Sequence, residues 1–178
     1  MSHASGANLP ATAEALELGP SLPLTVFSST EPWNDQRIGA LALYCSDGRW
    51  GEAFDEFCHK HLQIPRYDRW AVPGGPAWLA AHENSPQRTQ ALEQLDFLVR
   101  VHELHRIVLV THFGCSAYGL RLNAAPRECL KPQMSDVRVA AKLLRNRYAD
   151  MRVEGYLAMR DARTLAFHEI GVWGGLLA

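Results

Sequence analysis

The order of patterns along this chain predicts an α/β fold: a mainly parallel four-stranded sheet with helices on both faces and a closing antiparallel strand. Three observations carry that expectation. Leu41 to Tyr44 and Arg106 to Thr111 are short apolar runs of the kind shown by strands buried on both faces. Stretches with apolar residues at helical spacing alternate with them. Both runs end abruptly in metal-ligating side chains, Cys45 after the first and His112 and Cys115 after the second.

The elements follow in order. Residues 1–35 read as an N-terminal arm, flexible or packed on another subunit, and residues 36–178 as a single α/β domain. Within the arm, Ala11 to Leu18 suits a short helix closed off by Pro20 and Pro23. The first strand is expected over Ile38 to Tyr44. Trp50 to Leu62 reads as one helix, turning Ala53, Phe54, Phe57, Cys58 and Leu62 inward, and Pro65 bars its continuation. Tyr67 to Val72 reads as the second strand. It is stopped by Pro73-Gly-Gly-Pro76, which cannot be regular and brings backbone close to something.

Ser85-Pro86 is a helix start, with Ser as cap and Pro in the first turn. That helix is expected to run to about Glu103, burying Ala91, Leu92, Leu95, Leu98 and Val99. Arg106 to Thr111 is the third strand. Pro126 and Pro132 make residues 116–133 irregular or a short helix. Ser135 then reads as the cap of a helix to about Tyr148, apolar at Val139, Ala140, Leu143 and Leu144. Met151 to Met159 and Thr164 to Ile170 read as two strands joined by a tight turn. The Gly-rich tail from Gly171 is expected on the surface or in an interface.

Composition excludes several function classes. In 178 residues, 47% apolar and 21% charged content are ordinary for a globular chain. A formal net charge of −1 leaves no electrostatic footprint for nucleic acid or an anionic membrane. No apolar run is long enough to span a bilayer, and the N-terminus has no basic start followed by an apolar core, so no secretory signal is expected. Cys45, Cys58, Cys115 and Cys129 therefore read as thiols or metal ligands in a reducing, cytoplasmic setting rather than as disulfides.

In parallel α/β sheets, ligands bind beyond the carboxyl ends of the strands. With the first and third strands as neighbours, Cys45 and Asp47 share one crevice with His112 and Cys115. Two thiolates and one imidazole suit zinc, and three protein ligands leave a fourth position for water, as catalytic sites do. Arg49 is spaced to hold Asp47 by charge-assisted hydrogen bonds. Freed from Arg49, Asp47 becomes a candidate fourth ligand in a closed state.

Each residue alone has a plainer reading. Cysteines are often small buried hydrophobes, and Asp47–Arg49 by itself is an ordinary ion pair. The near-consecutive Cys58-His59-Lys60-His61 points in too many directions on a helix to hold one ion. Cys58 is expected inward, with His59 and His61 toward solvent.

Cys45-Ser-Asp47-Gly-Arg49 followed by His112-Phe-Gly-Cys115 resembles the β-class carbonic anhydrases. The resemblance spans about Arg37 to Ile170. It implies reversible hydration of CO2 to bicarbonate and a proton by zinc-bound hydroxide. Cys45, His112 and Cys115 would be the ligands, and Asp47 and Arg49 the catalytic dyad. It also implies a homodimer or dimer of dimers, often with the N-terminal arm crossing onto the partner. Three departures stand out: Val72-Pro-Gly-Gly-Pro76 where the family commonly has Arg-Asn-Ala-Gly, Ser116 in place of Gly, and Phe113 in place of a small hydroxyl residue. The first makes Val72, Gly74 and Gly75 candidates for the substrate pocket. It also motivates CS2 or COS as alternative substrates. A non-catalytic zinc-binding or regulatory homologue is the third reading.

Overall fold

The computed structural model describes residues 23–172. The chain divides into two compact units, the second beginning at Arg37. In the first, residues 23–36 contain no helix or strand; the helix expected at Ala11 to Leu18 lies outside the described residues.

The second unit has the strands β1 (Ala40–Tyr44), β2 (Asp68–Ala71), β3 (Arg106–His112), β4 (Arg152–Arg160) and β5 (Leu165–Glu169). They form one sheet in the order β2-β1-β3-β4-β5. The first four are parallel, and β5 closes the sheet antiparallel to β4, as expected. Asp161 makes the β4–β5 turn by accepting hydrogen bonds from the Arg163 and Thr164 N–H groups.

Alternation along the two central strands divides the core. Leu41, Leu43, Ile107 and Leu109 face one side, under helices α3 (Pro86–His102) and α5 (Pro126–Arg147). Ala40, Ala42, Val108 and Val110 face the other. There they meet Trp50, helix α1 (Gly51–Glu56) and the π-helical turn Phe57–His61. Short helices α2 (Ala77–Ala80) and α4 (Ser116–Leu122) flank the carboxyl end of the sheet.

Helix α3 starts as its sequence predicts, with the Ser85 hydroxyl accepting from the Arg88 N–H at 3.2 Å. Ala91 and Leu95 are buried, and Leu92, Leu98 and Val99 pack against the same core. The expected single helix from Trp50 to Leu62 is instead broken into α1 and a π-turn, closed by Leu62 N–H to Phe57 O at 3.0 Å. The wider turn lets Phe57 stack on Phe167 at 4.0 Å and meet Tyr156 edge-on, while Cys58 is fully buried. His59 and His61 are exposed, as expected.

The largest correction concerns α5. It begins nine residues before Ser135, which is an exposed mid-helix residue and not a cap. Pro126 takes the first helical position, and the Glu128 carboxylate accepts from the Ala125 N–H at 2.7 Å, which starts the helix. Val139 is 46% exposed, whereas Val137 is buried. The tail expectation falls mostly outside the described residues, but Val172 is buried in the core.

Candidate metal centre

The parallel register that pairs Leu43 with Leu109 carries the residues after β1 and β3 to one end of the sheet. Alternation turns His112 to the same face as Val108 and Val110. There its ring lies 4.9 Å from Trp50 and 6.5 Å from Phe54 between centroids. Gly114, with φ +73°, bends the chain back. Cys115 then opens α4, its carbonyl accepting from the Tyr118 and Gly119 N–H groups.

Cys45, His112 and Cys115 thereby converge. One ligand atom from each lies within 4.8 Å of the others, and all three residues are buried. The two sulfurs are 3.7 Å apart. Tetrahedral zinc with Zn–S bonds of about 2.3 Å holds two thiolates about 3.8 Å apart, so the spacing fits. The imidazole is aligned as well. Its Nδ1 lies 3.0 Å from the Phe113 carbonyl, which can only accept, so Nδ1 carries the proton. Nε2 is left buried with no hydrogen-bond partner.

The two thiols titrate as a pair. Cys115 ionises first, held below the ordinary thiol range by the hydrogen bond from Cys45 against the opposing effect of burial. The Tyr118 and Ala117 N–H groups help to hold that thiolate. The same hydrogen bond and burial push Cys45 up.

Asp47 and Arg49 form a bidentate pair at 2.8 and 2.6 Å, and the Arg49 N–H also reaches Asp47 Oδ1. Arg49 holds the Asp47 carboxyl down at about 2, below the usual range. Both residues, with Cys45, Ser46, Pro73, Ser116 and Ala117, line an open cavity of about 320 Å³. Of the Val72–Pro76 segment, Pro73 forms part of its wall. Gly74 and Gly75 act from behind: the Gly74 N–H donates to Cys45 Sγ at 3.5 Å, and Gly75 packs on the Tyr44–Cys45 backbone. Val72 extends the β1–β2 pairing through bonds to Tyr44 and Ser46.

A sequence model for the family described as "Putative carbonic anhydrase" matches residues 36–165, well over half of the chain. The chain belongs to this carbonic anhydrase family. The resemblance drawn from the two motifs therefore holds. Three solved structures of β-carbonic anhydrases are similar at low identity. The isoform I enzyme of Trichomonas vaginalis is 14% identical with a TM-score of 0.45, over 80% of this chain and 89% of that one. The enzyme CafA of Aspergillus fumigatus is 13% identical with a TM-score of 0.48, over 79% and 78%. A match to the two tetrameric enzymes of Sordaria macrospora gives 15% identity and a TM-score of 0.48, over 76% and 82%. No curated protein matches the sequence.

Two residues beside the Cys45, His112 and Cys115 cluster carried no signal in the sequence. Trp50 read as the start of a helix, yet its ring packs on the His112 imidazole. Gln133 read as the end of a stretch that is irregular or a short helix, yet its Nε2 donates to the His112 carbonyl at 2.8 Å. No helix among the described residues is long and apolar enough to cross a membrane.

Proposed function

We propose that the protein is a zinc-dependent carbonic anhydrase that interconverts CO2 with bicarbonate and a proton. The observation carrying this reading is the convergence of two thiols and one imidazole nitrogen within 4.8 Å, in a chain of this family. Cys45 Sγ, His112 Nε2 and Cys115 Sγ would hold the metal. Zinc bound there would supply Lewis acidity, lowering the pKa of water to about 7.

The chain's own groups do the rest. The Phe113 carbonyl and the Trp50 ring fix the tautomer and the plane of His112. Arg49 keeps Asp47 ionised and oriented at the cavity mouth, so its carboxylate can accept a hydrogen bond from the attacking water. Release from Arg49 would free Asp47 as a fourth ligand, closing the site. A homodimer or dimer of dimers and a cytoplasmic location complete the reading.

Stopped-flow CO2 hydration by zinc-loaded protein tests it. Wild-type rates well above those of Cys45→Ser are expected; equal rates would defeat it. The Val72–Pro76 departure, whose Pro73 lies on the cavity wall, motivates one second reading, with CS2 or COS as substrate. Hydrogen sulfide release from either compound, without CO2 hydration, would select it.

A further inference from the structure

The peptide joining His112 to Phe113 carries a hydrogen bond that the sheet cannot provide. Its N–H points to β4 and donates to Ala158 O at 2.8 Å. In a trans peptide the carbonyl points the opposite way, and no cis bond occurs among the described residues. The His112 carbonyl is thus directed to the β1 side of β3. The β1–β3 pairing has ended there, with Leu43 opposite Leu109. Gln133 reaches in from α5, and its Nε2 meets that carbonyl at 2.8 Å.

Gln133 is fully buried. Its amide cannot be turned over, because that would set oxygen against oxygen. As it stands, Oε1 is buried with no partner. An apolar side chain of similar size would spare the helix that orphaned acceptor. The bond to His112 is therefore what the amide is there to make. The ring is held from the next peptide, through Nδ1 and the Phe113 carbonyl. Two successive peptides of the ligand loop are thus pinned, one locally and one from a helix 21 residues away.

Resting on the zinc reading above, we infer that Gln133 is a positioning residue for the metal centre. It stands in for the missing strand, so that His112 Nε2 and Cys115 Sγ meet one ion. Partners bonded to a ligand's own side chain usually change metal affinity 10- to 100-fold when lost. Gln133 acts through the ligand residue's backbone, which sets about tenfold, the lower end of that range, as the loss expected.

The test compares Gln133→Leu and the more adaptable Gln133→Met with Leu144→Ala, which opens a cavity on the same helix away from the loop. Zinc affinity is measured by competition with a chromophoric chelator, and the visible bands of the Co2+-substituted protein report ligand geometry. Either Gln133 variant should bind zinc about tenfold more weakly and shift or broaden the cobalt bands. Leu144→Ala should lower Tm while leaving both readouts within twofold of wild type. If a folded Gln133 variant keeps wild-type affinity and bands and loses only Tm, Gln133 merely satisfies a carbonyl and the inference falls alone. If wild type itself binds neither ion through thiolates, the zinc reading falls and takes the inference with it.

Discussion

Replacing Gly75 and Gly114 separately with alanine separates backbone strain from crowding behind the Cys45, His112 and Cys115 cluster. Both glycines have positive φ, +53° and +73°. A left-handed conformation costs a non-glycine residue about 1–2 kcal/mol. The stiffer unfolded chain of the alanine variant returns about 0.4–1 kcal/mol of that. A Cβ on Gly114 would meet nothing within 4 Å, so Gly114→Ala should cost about 1 kcal/mol, the net of those two effects. A Cβ on Gly75 would lie 3.0 Å from the Tyr44 carbonyl carbon and 3.1 Å from the Cys45 nitrogen. Those are backbone atoms at the carboxyl end of β1, and forcing such a contact adds about 1–3 kcal/mol.

Gly75→Ala should therefore cost about 2–4 kcal/mol, or a fall in Tm of roughly 4–16 °C at 2–4 °C per kcal/mol for a chain of this size. Gly114→Ala should fall by only about 2–4 °C. Thermal melts of both variants, read by circular dichroism, give the comparison. If Gly75→Ala is no more damaging than Gly114→Ala, the close approach of residue 75 to the Cys45 backbone is not a constraint. The support drawn for the first ligand would then be wrong.

Two further outcomes follow from the paired carboxylates. Burial pushes the Glu154 carboxyl up, but the Arg106 hydrogen bond and the Arg106 and Arg152 charges outweigh it and hold the carboxyl below its ordinary value. A depressed folded pKa gives stability that is present above the ordinary Glu pKa of about 4.3 and lost as pH falls through the lower folded value. The Tm difference between wild type and Glu154→Gln should therefore shrink on acidification below about pH 4.3; a constant difference from pH 7 to 3 would contradict it. Asp47→Asn removes the charge that Arg49 holds by two short bonds but none of the three proposed ligands. Zinc content should stay at wild-type level while CO2 hydration drops about 100-fold, the scale of lost acid–base assistance; undiminished turnover would remove Asp47 from the mechanism.

The proposed ligands were legible because each sits within a few residues of a strand end that announces itself. Leu41 to Tyr44 and Ile107 to Val110 are apolar without a break, so Cys45 and His112 stand out where polarity returns. Adjacency of the first and third strands is only a supposition from the sequence; the pairing of β1 with β3 supplies it, and with it the meeting of residues far apart in sequence. What surrounds those side chains was not legible. Nothing in Arg49-Trp50-Gly51 says that the indole packs on an imidazole 62 residues later. The π-turn at Phe57–His61 is set by Phe167 and Tyr156, which belong to other elements.

Helix α5 shows which force overrules the local signal, and why that matters for the site. Pro132 lacks an N–H, so the Glu128 carbonyl receives no donor within the helix, and proline inside a helix costs about 3 kcal/mol. Read locally, that cost ends the segment and leaves Ser135 to start a new one. Yet Cys129, Gln133, Val137, Ala140 and Leu144 are all buried and recur at helical spacing on both sides of the proline. Val137 and Leu144 alone are worth about 1.5–3 kcal/mol each on burial, enough to offset the proline before the others are counted. Continuity has a chemical consequence. A helix beginning at 135 would leave residue 133 in a loop, with no rigid axis to aim its amide. A helix beginning at Pro126 sets Cys129 in the same buried cluster as Cys45 and Cys115, sets Gln133 on the His112 carbonyl, and sets Asp136 where it accepts from the Tyr118 hydroxyl at 2.8 Å. The proline that hides this helix from a sequence reading lies inside the turns that brace the loop carrying His112 and Cys115.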